Sequence, residues 1–167
     1  MVSYMNEVIN RLVAIEIEAM ATLGVTRVDA KPYFHYTGES FPYFTHRIAD
    51  TPVSDNGSEV EDLNSPTVVI RLVIGHVTEG YRGEIEVKLY EWLPMLKSYI
   101  QARSNWLQSV AYPAPMEDLQ QCRVINGGGL RIFQNEGINS TQIGAEIPVA
   151  CTFLESIDYA YYGGNYP

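Results

Sequence analysis

From residue 143 to residue 153 every second position is apolar: Ile143, Ala145, Ile147, Val149, Cys151 and Phe153. Side chains of a strand alternate between its two faces, so this run predicts a strand with one buried face and therefore a second layer to cover it. Pro148 falls on the other parity and lacks a ladder donor, which predicts a sheet edge or a bulge. The segment Thr67-Val-Val-Ile-Arg-Leu-Val-Ile74 is apolar at nearly every position and rich in β-branched residues. That pattern predicts a central strand covered on both faces.

Two helices supply the covering layer. Met5, Val8, Ile9, Leu12, Val13, Met20 and Leu23 recur at helical spacing, with Ser3 placed to cap the start and Gly24 where a C-terminal glycine belongs. The second stripe is Ile85, Leu89, Trp92, Leu93, Leu96 and Ile100. Glu84 to Leu89 also alternates as a strand would, but the helical stripe continues for another eleven residues where the alternation stops. Pro94 removes an amide proton and clashes one turn back, which predicts a kink near Leu93 or two consecutive helices.

Between these elements, residues 25–28 and 34–36 read as short extended pieces separated by Lys31-Pro32 and closed by Thr37-Gly38. Residues 41–48 form a firmer strand candidate. Residues 105–116, with Trp106, Tyr112, Pro113 and Pro115, read as irregular. Cys122 and Val124 alternate with polar neighbours, Gly127-Gly128-Gly129 is placed to turn the chain, and residues 130–133 would return it as a hairpin.

With 167 residues the chain suffices for one domain and is too short for two ordinary ones. Its 11 Lys and Arg face 20 Asp and Glu, a net charge of -9. Such a surface argues against wrapping nucleic acid or binding an anionic membrane, since both need Lys and Arg to neutralise phosphates. The first 23 residues lack a basic leader, and Glu7, Glu16 and Glu18 interrupt their apolar residues. No run approaches the roughly 18 apolar residues of a membrane span, so a soluble protein is expected. Cys122 and Cys151 belong to no CxxC pair and are expected to be reduced packing residues of a protein folded in a cytoplasm.

No constellation of catalytic residues emerges. His35, His46 and His76, even with Asp50 or Glu79, lack metal-ligand spacing and read as sheet-end or surface histidines. There is no GxSxG, and Ser40, Ser54, Ser104 and Ser109 occupy turn or loop contexts. The triple glycine is followed by a strand and has no nearby Lys, unlike a phosphate loop. Glu84 and Glu86 point in different directions on a helix, and Glu84 is spaced for an ion pair with Lys88. The expectation is a non-enzymatic protein with no cofactor and no metal.

Two segments stand out as contact surfaces instead. Residues 50–66 contain Asp50, Asp55, Glu59, Glu61 and Asp62 and no Lys or Arg, so they read as a long acidic loop or the tip of an extended hairpin around Asp55-Asn56-Gly57. The acidic order does not match an EF-hand. The last residues, 158–167, carry Tyr159, Tyr161, Tyr162 and Tyr166, four of the twelve tyrosines. From Tyr159 onward they carry no charge, which suits docking on a neighbour better than self-burial.

The expected architecture is α+β: a single domain over 1–157, mainly an antiparallel sheet packed against an N-terminal helix and a central Pro-kinked helix. It carries an insertion at 50–66 and a C-terminal aromatic arm at 158–167. This order of elements, with the helix 3–23, the strand Phe41-Pro-Tyr-Phe-Thr-His-Arg-Ile48, the acidic excursion, Val68-Val-Ile-Arg-Leu-Val-Ile74 and the alternating 143–153, resembles the joining proteins of tailed-bacteriophage necks, most of all the tail terminator family. Residues 75–84 leading into Tyr90-Glu-Trp-Leu-Pro94 also look like those of phage structural proteins.

The resemblance implies a homo-oligomeric ring, six-fold in terminators and twelve-fold in some head-side relatives. Such a ring caps the tail tube and joins it to the head connector around a channel through which DNA passes without specific binding. It places the protein in the virion, and in the host cytoplasm before assembly, with no membrane partner. Stopper and adaptor proteins of the neck share this style. Two other possibilities remain open on the residues: a small-ligand-binding or enzymatic α+β domain with a pocket beside Trp92 and Leu93, or a soluble adaptor acting through the tyrosine arm.

Overall fold

The computed structural model describes residues 2–34, 36–49, 61–64, 67–76, 82–104, 106–116, 119–125, 130–135 and 140–156. The first helix, α1, spans Val2–Thr22. Ser3 therefore lies inside its first turn and not at its N-cap, one residue off the expected start. Its C-terminus is closed as the glycine predicts. Gly24 adopts φ +77, its N–H donates to the Ala21 carbonyl, and the Val25 N–H donates to the Met20 carbonyl. This paired arrangement caps the last carbonyls, and the left-handed residue within it costs a glycine nothing.

The strand β1 (Asp29–Phe34) pairs in parallel with β2 (Tyr43–Ala49). Lys31-Pro32 does not divide two extended pieces as expected but lies within β1. The register shifts between Ala30 and Phe34, so the proline falls in an irregular stretch of an edge strand, where a missing donor is tolerated. The return to β2 is organised by Asp29. Its carboxylate accepts hydrogen bonds from the Tyr36 hydroxyl at 2.9 and 3.0 Å and from the Glu39 N–H at 2.8 Å. Gly38 packs directly on the Tyr43 side chain, where any Cβ would overlap the ring.

The acidic excursion ends in a strand, β3 (Glu61–Asn64), followed at once by β4 (Thr67–His76). Both pair antiparallel with the 17-residue β7 (Ser140–Ser156), lying end to end along one of its edges. Glu61 and Asp62 thus belong to the sheet, opposite Ser156 and Glu155, and not to a free loop. As its composition predicts, β4 is central, with β2 on its other side. The second helix, α2 (Arg82–Ser104), is one continuous helix that contains Pro94, not two.

The largest departure concerns β5 (Leu119–Val124) and β6 (Leu130–Asn135). They do not form a hairpin with each other through the triple glycine. Both pair antiparallel with β7, β5 with residues 149–153 and β6 with residues 140–145. The hairpin is β6–β7, joined after the Asn135↔Ser140 pair. The seven-stranded sheet therefore runs β1-β2-β4-β7, with β3 beside β4 on one flank of β7 and β5 and β6 on the other.

Pro148 consequently sits in the middle of the sheet, contrary to the edge position predicted. In an antiparallel strand a residue's N–H and C=O point to the same neighbour. The Pro148 carbonyl accepts from the Ile125 N–H at 2.9 Å, so its missing donor faces the break between β5 and β6. No ladder bond to β4 is lost.

Both helices cover one face of the sheet. Their inward residues, among them Ile9, Leu12, Met20, Leu89, Leu96 and Ile100, meet Phe44, Ile70, Leu72 and all six alternating residues of β7 in one core. Burying such side chains contributes about 1.5–3 kcal/mol each before entropy is charged against it.

Candidate interaction surface

Reactive side chains are dispersed by this fold. His46 is buried between α1 and the sheet, and His76 stacks edge-on against Phe41 with centroids 4.8 Å apart. His35, Asp50 and Glu79 lie outside the described residues. Among the described residues no group of three or more His, Cys, Asp or Glu is arranged to hold a metal ion. No helix of theirs is long and apolar enough to cross a membrane.

His46 is not the surface histidine expected. Its Nε2 lies 2.8 Å from Glu16 Oε1 of α1, and neither side chain is exposed. Glu16 Oε2 and His46 Nδ1 have no hydrogen-bond partner among the described residues. The sequence does carry the signal: Glu16 sits in the apolar stripe between Leu12 and Met20, and His46 shares its parity with the buried Phe44. A polar residue in an inward register needs a polar partner across the interface, and each supplies the other.

The opposite face of the sheet carries a second polar cluster. Arg71 donates to Glu146 Oε1 at 2.9 Å from the strand directly opposite, and Arg47 Nη2 approaches the same oxygen at 3.5 Å. Tyr43 donates its hydroxyl to Gln142 Oε1 at 2.8 Å, and both residues are buried. Burial raises the Tyr43 phenol above its ordinary pKa, against the smaller opposing effects of the Gln142 hydrogen bond and the Arg71 charge. These groups tie β2, β4 and β7 together.

Residues 106–116 have no helix or strand, as expected, yet they are firmly attached to α1. Arg11 donates to the Ala114 carbonyl at 2.7 Å and lies over the Tyr112 ring at 5.1 Å. Glu18 accepts from the Val110 N–H at 2.6 Å and from the Tyr99 hydroxyl at 3.2 Å. Leu107, at φ 48, is buried beneath this segment, while Trp106 and Val110 stay exposed at 50% and 88%.

The strongest candidate surface is the outward side of α2. Its inward stripe is the one predicted, with Leu89, Leu96 and Ile100 buried and Ile85, Trp92 and Leu93 packed against the core. Yet Val87, Tyr90 and Met95 point outward and remain 58%, 68% and 51% exposed. Shallow grooves line this side, one at Gly83, Val87, Lys88 and Glu91, the other at Thr22, Pro94, Met95, Ser98 and Tyr99. An ordinary surface helix is polar on its outer face, so these three exposed apolar residues make the outer side of α2 the candidate contact face. These residues were legible as a complement to the inward stripe, but a search for one stripe passes over them.

Of the acidic residues singled out in the sequence, Glu61 and Asp62 are placed in β3, while Asp50, Asp55 and Glu59 lie outside the described residues. The same holds for Tyr159, Tyr161, Tyr162 and Tyr166. β7 ends at Ser156, just before that arm. No protein-family model matches the sequence, and no curated protein matches it.

Proposed function

We propose that this chain is a non-enzymatic structural subunit that assembles with copies of itself into a ring at the neck of a tailed-bacteriophage particle. There it terminates the tail tube and joins it to the head connector. The observation that carries the assembly is the two-sided apolar character of α2, whose Val87, Tyr90 and Met95 are available to a neighbouring subunit. Aromatic residues and Met are enriched where subunits meet. The order of elements, which resembles the tail terminator family, supplies the phage assignment, with stopper and adaptor as close alternatives within the same neck.

In this assembly the acidic stretch 50–66 and the arm 158–167 reach different neighbours. Six copies are expected, or twelve for a head-side role. The net charge of -9 repels phosphate and lets DNA slide through the channel without specific binding. The subunit resides in the virion neck, and in the host cytoplasm before assembly.

Mass photometry and negative-stain imaging of the purified full chain, alone and mixed with isolated tail tubes, test this. Closed rings, or rings seated on tube ends, are expected. Monomers alone under both conditions would overturn it.

A further inference from the structure

Cys122 of β5 and Cys151 of β7 are directly opposite in the ladder, with their Sγ atoms 3.3 Å apart. Both are free thiols without solvent exposure. The kind of opposition matters, because antiparallel pairs alternate between hydrogen-bonded ones with Cα atoms about 5.5 Å apart and closer, non-hydrogen-bonded ones at about 4.5 Å. The Ile125 N–H donates to the Pro148 carbonyl, which makes that pair hydrogen-bonded. Counting back along the ladder, Val124 and Cys122 fall in the close class. Val124 agrees: its N–H points away from β7 and donates to Gln101 Oε1 of α2 at 2.8 Å.

A Cα separation of about 4.5 Å lies within the range of about 4.4–6.8 Å that a disulfide spans. From 3.3 Å the sulfurs need to approach by only about 1.3 Å to reach a bond length near 2.05 Å. Among the described residues β5 has no strand neighbour except β7, so opening that edge exposes both thiols at once. The register of β5 also shifts between Leu119 and Gln121, which weakens the ladder next to Cys122.

We propose that Cys122 and Cys151 form an intramolecular redox site, closing into a cross-strand disulfide when the protein meets a small-molecule disulfide oxidant. In the first step the Cys122 thiolate attacks one sulfur of the oxidant, the oxidant's S–S bond breaks, and one small thiolate leaves. The Cys151 thiolate then attacks the Cys122 sulfur of the mixed disulfide and expels the second small thiolate. Two protein thiols are oxidised, one small disulfide is reduced to two thiols, and the two protons from the cysteines end on them.

In the closed sheet, the hydrogen bond to Cys151 and burial both push the Cys122 thiol pKa up, so little thiolate exists there. Exchange therefore proceeds from the opened edge, over minutes to hours. The bond fastens β5 to β7 within their own ladder, on the C-terminal side of the break at Pro148.

Intact mass and thiol counting decide it. The full chain is reduced, freed of reductant, incubated with oxidised glutathione at pH 8, quenched in acid, then denatured and alkylated. The expected product is a monomer about 2 Da lighter that takes up no alkyl group. Its thermal midpoint should be roughly 5–10 °C higher, and dithiothreitol should reverse the shift.

Cys122→Ser and Cys151→Ser should each stop at a glutathione adduct or a free thiol with no such gain. If either variant fails to fold, the wild-type mass and thiol count suffice. Two alkylatable thiols after a day, a persistent glutathione adduct on the wild type, or disulfide-linked dimers would overturn the site. A bond that forms without raising the midpoint would overturn its fastening role.

Discussion

Glu16 of α1 and His46 of β2 lie 2.8 Å apart, and neither side chain touches solvent. They join the first helix to the sheet within the buried layer between them. Replacing one partner leaves the other buried and unsatisfied. Glu16→Leu and His46→Leu should each cost about 3 kcal/mol, whereas the double replacement should cost less than about half the sum of the two. Urea denaturation of the four proteins measures this. Additive losses would show that the two side chains act independently.

Tyr43 makes stability depend on alkaline pH. Burial is the main reason its folded-state pKa is raised. Below the ordinary tyrosine value of about 10 the phenol is neutral in both states and its contribution is fully present. As pH rises from there towards the folded value, the unfolded chain ionises first and stability is lost. Tyr36 and Tyr99 are raised as well, first by desolvation, but both lie nearer to solvent, where screening leaves Tyr43 the dominant group. Tyr43→Phe should lose about 1 kcal/mol at pH 7 for the missing Gln142 hydrogen bond, yet decline less steeply between pH 10 and 11. Urea midpoints across pH 7–11 compare the slopes, and equal slopes would remove Tyr43 from the account.

Gly38 and Gly24 should resist substitution for different reasons. A Cβ at Gly38 overlaps Tyr43, so Gly38→Ala should cost about 1–3 kcal/mol through displacement of the ring. At Gly24 there is open space but a φ of +77, so Gly24→Ala should cost only about 1 kcal/mol. Thermal melts rank the two, and Gly24→Ala should leave near-UV tyrosine signals unchanged.

Arg11 anchors residues 106–116 to α1 through the Ala114 carbonyl and the Tyr112 ring. Arg11→Met keeps much of the aliphatic packing and removes the donors. It should cost about 2 kcal/mol and make that segment the first site of limited proteolysis. Peptide mapping checks the cut. An unchanged digestion pattern would mean that Leu107 burial and the Glu18–Val110 bond hold the segment without Arg11.

The outward side of α2 should govern assembly without governing folding. Tyr90→Glu combined with Met95→Lys alters residues that are 68% and 51% exposed, so monomer stability should move by no more than about 0.5 kcal/mol. Ring formation should be lost. Circular dichroism and mass photometry together separate these effects, and intact rings would move the interface elsewhere.

What the sequence by itself determined is which way side chains face. The alternation of Ile143 to Phe153, the stripe Leu89 to Ile100, and the positive-φ glycine closing α1 are local patterns, because the periods of strand and helix are properties of consecutive backbone units. They delivered the α+β class, the central position of β4 and the inward residues of α2.

What only the tertiary structure decided is which strands are neighbours. Alternation in β5 and β6 is equally compatible with a hairpin through the triple glycine and with both lining β7. The choice depends on contacts far apart in the chain, whose loop-closure cost and packing gain no short window contains. That choice moved Pro148 to the sheet centre, with its missing donor at a break. It also set Cys122 against Cys151, while the packing of α1 on β2, equally remote in the chain, brought Glu16 to His46.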